Sequence, residues 1–303
     1  MSRVLPVWRS LLFVPAHSEK FTAKAHERGA DACILDLEDS VTSSLKEQAR
    51  QAAGIAAAAL AQRGMDVLVR VNDPDNGGLL DLQAIVSPAV CAVVLPKVDS
   101  AELVRLVTLQ LDRLESERGM PVGHTLILAQ IEDVAALPRL DEIAISSARL
   151  MGMSLGPEDF CSSAGMEPLP EALIWPNQQV VFACRRAGIL PFGFPASIAD
   201  FSDLPRFRQA LVLGRQLGMI GAMCIHPQQV GILNEVFSPS DAEIEYVVGL
   251  LSEYACAEAE GRGAFAYRGK MIDAPVVARA RELLARHLSA EQRRQSSISP
   301  SSE

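Results

Sequence analysis

Aromatic residues are scarce in this chain, and positive charge is in deficit. Phe, Trp and Tyr make up 5% of the 303 residues while hydrophobic residues make up 49%, so a sizeable core must be filled with aliphatic side chains. Asp and Glu number 37 against 28 Lys and Arg. The resulting net charge of −9 argues against a general nucleic-acid surface, though a local basic pocket for an acidic ligand stays open. No apolar run approaches the length of a bilayer span, so no membrane partner is expected. The N-terminus lacks a continuous apolar stretch with a small-residue cleavage site, which counts against a secretory signal. Among the cysteines, Cys33, Cys91, Cys161, Cys184, Cys224 and Cys256, there is no C-x-x-C pair and no zinc-ligand spacing. Cys33, Cys91 and Cys224 lie in apolar strand-like runs and are expected to be small buried fillers in a reducing cytoplasm.

What is present is an alternation. Short β-branched or Leu-rich runs at 10–15, 32–36, 67–72, 92–97, 125–131, 149–155, 190–197 and 222–226 predict strands. Helical patterns lie between them, near 19–29, 45–63, 79–86, 100–118, 136–146, 171–187 and 204–217. The seventh strand is interrupted by Pro191, Gly193 and Pro195. This rhythm suits an α/β (β/α)₈ TIM barrel over 1–238 better than an open doubly wound sheet, and no G-x-G-x-x-G turn follows the first strand. Beyond it, Pro239-Ser240-Asp241 reads as a helix start, and Gly261, Gly263 and Gly269 mark a flexible crossing. A last helix over about 275–287 completes a C-terminal helical extension spanning 239–289, which is expected to touch a neighbouring subunit. The Ser/Gln/Arg-rich tail 290–303 is expected to be disordered.

Barrel chemistry gathers at the C-terminal ends of the strands. Those ends carry Pro15, Asp36-Leu37-Glu38-Asp39, Arg70-Val71-Asn72, Pro96-Lys97, Glu132, Asp159 and His226-Pro227. Charges placed directly after apolar runs must be paired, hydrogen-bonded or metal-bound if they are buried. The acidic pairs Glu132-Asp133 and Glu158-Asp159 end adjacent strands, where carboxylates can converge on one hard divalent cation such as Mg²⁺. Arg70 and Lys97 offer positive charge to an anionic substrate.

Each group also has a plainer reading. Glu132 can be a strand-end ion pair, and either Glu158 or Asp159 can cap the next helix. Arg70 can pair with Glu38 or Asp39 at the barrel mouth, Lys97 can be structural, and Asp273 can cap the final helix. His226 reads as a hydrogen-bonded structural group. Gly152-Met153-Ser154-Leu155-Gly156 matches G-x-S-x-G, but no partner aspartate and histidine are ordered behind it, so a serine hydrolase is disfavoured.

Taken in order, Arg9-Ser10-Leu11-Leu12-Phe13-Val14-Pro15, Asp36-Leu37-Glu38-Asp39, Arg70-Val71-Asn72, Leu95-Pro96-Lys97, Ile131-Glu132, Gly156-x-Glu158-Asp159, Ile225-His226-Pro227-x-Gln229 and Gly269-Lys270-Met271-Ile272-Asp273 resemble one family. It is the citrate lyase β-subunit-like family of the HpcH/HpaI aldolase superfamily, which includes malyl-CoA and citramalyl-CoA lyases. The likeness spans roughly 9 to 287.

The resemblance implies a Mg²⁺-dependent carbon–carbon lyase or condensing enzyme acting on a short β-hydroxyacyl-CoA, with Mn²⁺ as a possible substitute. Glu132 and Asp159 match the metal ligands, and Arg70 matches the arginine beside the thioester and enolate oxygen. Asp273 matches an acid/base residue contributed across a subunit contact. Phe13, Pro15 and Lys24 fall where coenzyme A is held. Apart from the resemblance, the strand-end positions of Asp36, Glu38, Asp39 and Lys97 lead to the expectation that they orient the reacting groups. Related enzymes are oligomers, commonly homotrimers.

Departures from the pattern are Ala16 for a usual Gly, Trp175-Pro176-Asn177 for an Arg-Ser pair, Ala222 for a frequent Lys, and the absence of an aspartate near Phe192-Gly193-Phe194-Pro195. They bear on the acyl group and the CoA branch. Two other readings remain: a metal-dependent aldolase of free 4-hydroxy-2-oxo acids, and a citrate lyase β subunit working with an acyl carrier protein.

Overall fold

A computed structural model of the chain describes residues 5–298. The apolar runs form parallel strands β1 (Ser10–Pro15), β2 (Ala32–Asp36), β3 (Asp66–Arg70), β4 (Ala92–Leu95), β5 (Leu126–Ile131), β6 (Leu150–Leu155), β7 (Leu190–Phe192) and β8 (Ala222–Cys224). Their order in the sheet is β7-β6-β5-β4-β3-β2-β1-β8, with β1 laddered to both β2 and β8. No ladder joins β7 to β8. Instead Gly193 N donates to Gly221 O at 2.9 Å, and Ile220 N donates to Pro191 O at 3.1 Å. Gly193, with φ of 131°, leaves the extended backbone and Pro195 beyond it has no N–H, which explains why β7 ends at Phe192 rather than near 197. The result is a nearly closed (β/α)₈ barrel, as the alternation predicted.

The strands are buried on both faces, which is why they read as continuous apolar runs. One set of side chains fills the barrel interior, among them Leu11, Ile34, Leu68, Val94, Leu128 and Phe192. The alternate set, including Leu12, Val14, Leu35, Val69 and Ile127, packs against the helices. Trp8 lies in the inner cluster and donates its indole N–H to Asp66 Oδ2 at 2.7 Å. All six cysteines are free; Cys33 and Cys224 are buried as expected, whereas Cys91 is only half-buried.

The helices of this unit are α1 (Glu19–Thr22), α2 (Lys46–Ala61), α3 (Gly78–Ile85), α4 (Ala101–Glu117), α5 (Leu140–Ala144), α6 (Pro157–Ala164), α7 (Pro170–Ala187), α8 (Leu204–Leu217) and α9 (Pro227–Val236). The pattern near 19–29 splits into α1 and a 3₁₀ turn, Ala25–Arg28, closed by left-handed Gly29. The pattern near 136–146 begins as a 3₁₀ segment, Val134–Arg139, because Pro138 cannot donate within a helix. Helices α6 and α9 were not anticipated; each starts at a proline, which the first turn accommodates.

The chain divides into two compact units, the second starting at Ser238. The second contains α10 (Asp241–Ala259), β9 (Phe265–Tyr267), β10 (Lys270–Ile272) and α11 (Ala274–Ile298). Ser240 caps α10 reciprocally: its Oγ accepts from Glu243 N at 3.2 Å and Glu243 Oε2 accepts from Ser240 N at 2.8 Å. The glycine-marked crossing is a tight antiparallel hairpin rather than a loose segment. Its two central residues, Arg268 and Gly269, have φ of 44° and 78°, the backbone that a two-residue hairpin turn demands. Helix α11 does not stop near 287, and the expected disorder from 290 is corrected as far as Ile298. Ala290, Glu291 and Gln292 are good helix formers and carry the pattern on. Residues 299–303 lie outside the described part. Among the described residues no helix is long and apolar enough to cross a membrane.

At the N-terminal end of β6, Arg149 is buried between α4 and β5. Its guanidinium donates to Glu115 Oε1 at 3.0 Å, Asp112 Oδ1 at 2.8 Å and Thr125 O at 2.7 Å. Glu115, fully buried, also accepts from the backbone of Gly123 and Thr125, both at 2.7 Å. Burial alone would raise its pKa, but Arg149 and the two N–H groups outweigh it and hold the carboxyl down at about 2. Arg149→Met leaves that charge uncompensated and is expected to cost about 3–5 kcal/mol. Because Glu115 is depressed from 4.5, the stability it contributes is complete above that pH and fades as pH falls towards about 2. Urea unfolding of both proteins across that range checks this: the gap between them must narrow on acidification.

Candidate active site

The site is built at the C-terminal rim, starting with one pair across neighbouring strands. Parallel register sets Asp36 at the end of β2 beside Arg70 at the end of β3. The guanidinium grips that carboxylate through Nε–Oδ1 at 2.7 Å and Nη2–Oδ2 at 2.8 Å, a two-pronged contact that fixes its plane. Asp36 also accepts from Glu38 N at 3.0 Å and Ser40 N at 3.1 Å, so it shapes the loop after β2. Burial pushes its pKa up, but the Arg70 hydrogen bonds and charge prevail and hold it below the usual value. The remaining guanidinium edge, Nη1, lies 2.9 Å from Glu38 Oε2 and 3.3 Å from Asp39 Oδ2. Phe13 supports the group from one side, its ring centroid 4.8 Å from the guanidinium carbon. Arg70 therefore does pair with the acids of the β2 loop.

Lys46, at the start of α2, pins the same loop: its ammonium donates to Leu37 O at 2.7 Å, Glu38 O at 2.6 Å and Asn72 Oδ1 at 2.7 Å. Glu38 is held above its normal pKa, by burial first, with Asp39 adding to it and Arg70 and Lys97 opposing.

Opposite stands Glu132, at the end of β5 and 6% exposed. Its Oε2 accepts from the backbone N–H of Lys97 at 3.1 Å. A Cβ on Gly156 would come within 2.5 Å of Glu132 Cγ, so only glycine after β6 lets this carboxylate lie where it does. Burial, and then the charges of Glu38 and Asp159, push the Glu132 carboxyl up to about 8. Asp159, in the first turn of α6, is half exposed and lies 3.8 Å from the Lys97 ammonium, which is 3.3 Å from Glu38 Oε1. The neighbouring Glu158 is engaged elsewhere, accepting from the Ser197 hydroxyl.

These groups surround a cavity of about 430 Å³ lined by Phe13, Pro15, Asp36, Asp39, Arg70, Glu132 and Asp159, with Gln130 and Ser154 among the other lining residues. Phe194, Ile198, Met223 and Ile225 supply apolar wall. Glu38 and Lys97 join through their ion pairs. Two predicted residues are not among the residues named for this lining. Lys24 is exposed beside the 3₁₀ turn after α1. Asp273 belongs to the second unit, where its Oδ1 accepts from Val276 N at 3.3 Å at the start of α11.

Sequence reasoning missed Gln130, Ser154 and Lys46. The first two had a signal, since each is a polar residue inside an otherwise apolar strand, and Gln130 shares a strand face with Glu132. Gln130 Oε1 is buried with no hydrogen-bond partner among the described residues. Ser154 lies within β6 rather than on a sharp turn after it, which removes the nucleophile-elbow geometry. His226 is structural: its Nδ1 accepts from Gln228 N at 3.2 Å and its ring stacks on Phe201, centroids 5.0 Å apart.

The donor chemistry fits a hard divalent cation. Glu132 and Asp159 offer oxygen ligands, and Glu132 is buried with the carboxylates of Glu38 and Asp159 nearby, so that burial first and those charges next disfavour its ionisation. Among the described residues no three side chains of the His, Cys, Asp and Glu types form a complete ligand set.

Residues 9–227 match the family model described as HpcH/HpaI aldolase/citrate lyase. The chain belongs to this family. Citrate lyase subunit beta of Escherichia coli K12 is 34% identical over 281 residues, covering 92% of each chain. The L-malyl-CoA/beta-methylmalyl-CoA lyase of Rhodobacter capsulatus is 33% identical over 288 residues, covering 88% of this chain and 90% of its own. The structure of protein CitE from Mycobacterium tuberculosis in complex with magnesium, acetoacetate and coenzyme A has a TM-score of 0.68 at 26% identity, covering 92% of this chain and 97% of that one. A citrate lyase from Burkholderia xenovorans LB400, at 19% identity and TM-score 0.77 over 95% of this chain and 93% of that one, supports the fold. Members of the HpcH/HpaI family so named are lyases, and this chain is an enzyme of that class.

Glu132 yields a pH test. Its pKa is raised from 4.5 to about 8, so folding resists its ionisation and the wild type loses stability as pH rises through that window. In chelating buffer, Glu132→Gln should gain on wild type between pH 5 and 8 by more than about 1.4 kcal/mol, the value of one pKa unit. Thermal unfolding at both pH values reads it; a pH-independent difference contradicts the origin assigned to the raised value.

Proposed function

We propose that this enzyme cleaves, or in reverse forms, the carbon–carbon bond of a short β-hydroxyacyl-CoA with Mg²⁺, malyl-CoA and citramalyl-CoA being representative substrates. The observation that carries the reading is that buried Glu132, half-exposed Asp159 and Arg70 line one cavity. The Rhodobacter relative's name and the magnesium and coenzyme A in the CitE structure support it.

Glu132 and Asp159 would hold the cation, which when bound supplies Lewis-acid polarisation of the oxo-acid half of the substrate. Cleavage releases the hydroxyl proton to solvent water as the carbon–carbon bond breaks, the oxygen lone pair forms the new carbonyl, and the bonding pair stays on the thioester half as an enolate, which takes one proton back at carbon. Arg70 faces that developing charge. Asp36 fixes the guanidinium plane through Nε and Nη2, and the Nη1 edge is the one available to turn from Asp39 towards a substrate oxygen. Burial lowers and the flanking carboxylates raise the Arg70 pKa, with a net rise, so it stays charged throughout. Asp273, supplied by a neighbouring subunit of a homotrimer, gives the proton to the enolate carbon and takes it in condensation. Phe13, Pro15 and Lys24 contribute to coenzyme A binding.

A second reading, an acyl group carried on a partner protein in place of free coenzyme A, is favoured by the likeness to citrate lyase subunit beta. A screen of β-hydroxyacyl-CoA thioesters with Mg²⁺, following oxo-acid release, separates the two. Glu132→Ala and Asp159→Ala should each abolish metal-dependent turnover with circular dichroism unchanged. Arg70→Lys, which keeps charge but loses the fork, should lower kcat by about 10²–10³. Full activity in EDTA sinks the proposal. Turnover of free 4-hydroxy-2-oxo acids, with no CoA binding and little effect of Asp273→Ala, would identify an aldolase instead.

A further inference from the structure

Lys97 is attached to the acidic cluster at both ends. Its backbone N–H donates to Glu132 Oε2 at 3.1 Å, while its ammonium lies 3.3 Å from Glu38 Oε1 and 3.8 Å from Asp159 Oδ2. The backbone at Lys97 has φ of 53°, left-handed, one of two such non-glycine positions among the described residues. A long side chain in that conformation is unfavourable and persists only where the surroundings hold it. Here the left-handed turn aims the N–H at one carboxylate while the stem places the charge beside two others. The ammonium is not buried, its side chain being 48% exposed, so it is free to move into solvent without a large desolvation change.

We infer that Lys97 is a built-in counter-cation, whose ammonium and a divalent cation compete for the carboxylates around Asp159. Cation uptake is then an exchange: the incoming ion takes the Asp159 oxygen, and the flexible four-carbon stem carries the ammonium away. The backbone contact to Glu132 is unaffected by this exchange, so the carboxylate stays positioned while the side-chain charge is replaced. The lysine thereby sets how tightly the site holds its ion. This inference rests on the reading of Glu132 and Asp159 as cation ligands. It differs from a simple structural pin, which would change folding stability and leave ion affinity untouched.

Calorimetric titration of MgCl₂ into the full chain tests it, comparing wild type with Lys97→Met, Lys97→Gly and Lys97→Arg. The methionine variant removes the charge and keeps the stem. The glycine variant removes both, retains the N–H to Glu132 and suits the left-handed backbone, so it covers any failure of the methionine variant to fold. Both neutral variants should bind Mg²⁺ about tenfold more tightly than wild type, equivalent to about 1.4 kcal/mol, and Lys97→Arg should stay near the wild-type Kd. Unchanged or weaker binding in the neutral variants, with wild type binding normally, overturns the inference alone. No Mg²⁺ binding by the wild type overturns the cation-site reading and this inference with it.

Discussion

Crowding of carboxylates at one end of the barrel is the constraint on which the site depends. Asp36, Glu38, Asp39, Glu132 and Asp159 gather at this end; Arg70 and Lys97 form ion pairs with all of them but Glu132, which accepts from the Lys97 backbone N–H. Arg70 is largely committed to the β2 side, where Asp36 holds it flat. Glu132 is left in a buried position with like charges nearby, and its carboxyl rises to about 8 as a result. Carboxylates perturbed by burial and neighbouring charge cluster at functional sites, which makes this cavity the candidate one. The geometry around it is costly: a glycine is required at 156 and a left-handed lysine at 97.

The opposite end of the barrel shows the contrast. There Arg149 and Glu115 face each other with backbone donors completing the shell, and the Glu115 carboxyl sinks to about 2 instead of rising. Both ends bury acidic side chains. At one, Arg149 and two backbone N–H groups satisfy the buried Glu115, and the network holds α4 to the barrel; at the other, buried Glu132 has the carboxylates of Glu38 and Asp159 near it. The division follows the general barrel plan, with stability at the N-terminal face and chemistry at the loops of the C-terminal face.

Much of this was legible in the sequence because parallel strands buried on both faces leave unbroken aliphatic runs, and charges immediately after them mark the rim. That logic located Asp36, Arg70, Glu132 and Asp159. Strand ends were overdrawn where residues of the same apolar-to-polar motif leave the ladder, as at Asn72, Lys97 and the proline-broken segment after Phe192. Helices α6 and α9 were hidden because an opening proline reads locally as a turn. The tight hairpin was hidden because glycines signal freedom until the pairing of Tyr267 with Lys270 is known. The placement of the Lys97 ammonium between Glu38 and Asp159 depends on residues far apart in the chain, which no local pattern encodes. The lyase class was legible only through the order of the motifs, whose resemblance the family match bears out.

The central claim is that Glu132 and Asp159 share one divalent cation beside Arg70. Crystals of the full chain soaked with Mn²⁺ and measured for anomalous scattering test it most directly. The account predicts a single strong peak within coordination distance of both carboxylates, inside the cavity that Arg70 lines. A protein that takes up Mn²⁺ elsewhere, or whose two carboxylates diverge with no peak between them, would contradict it.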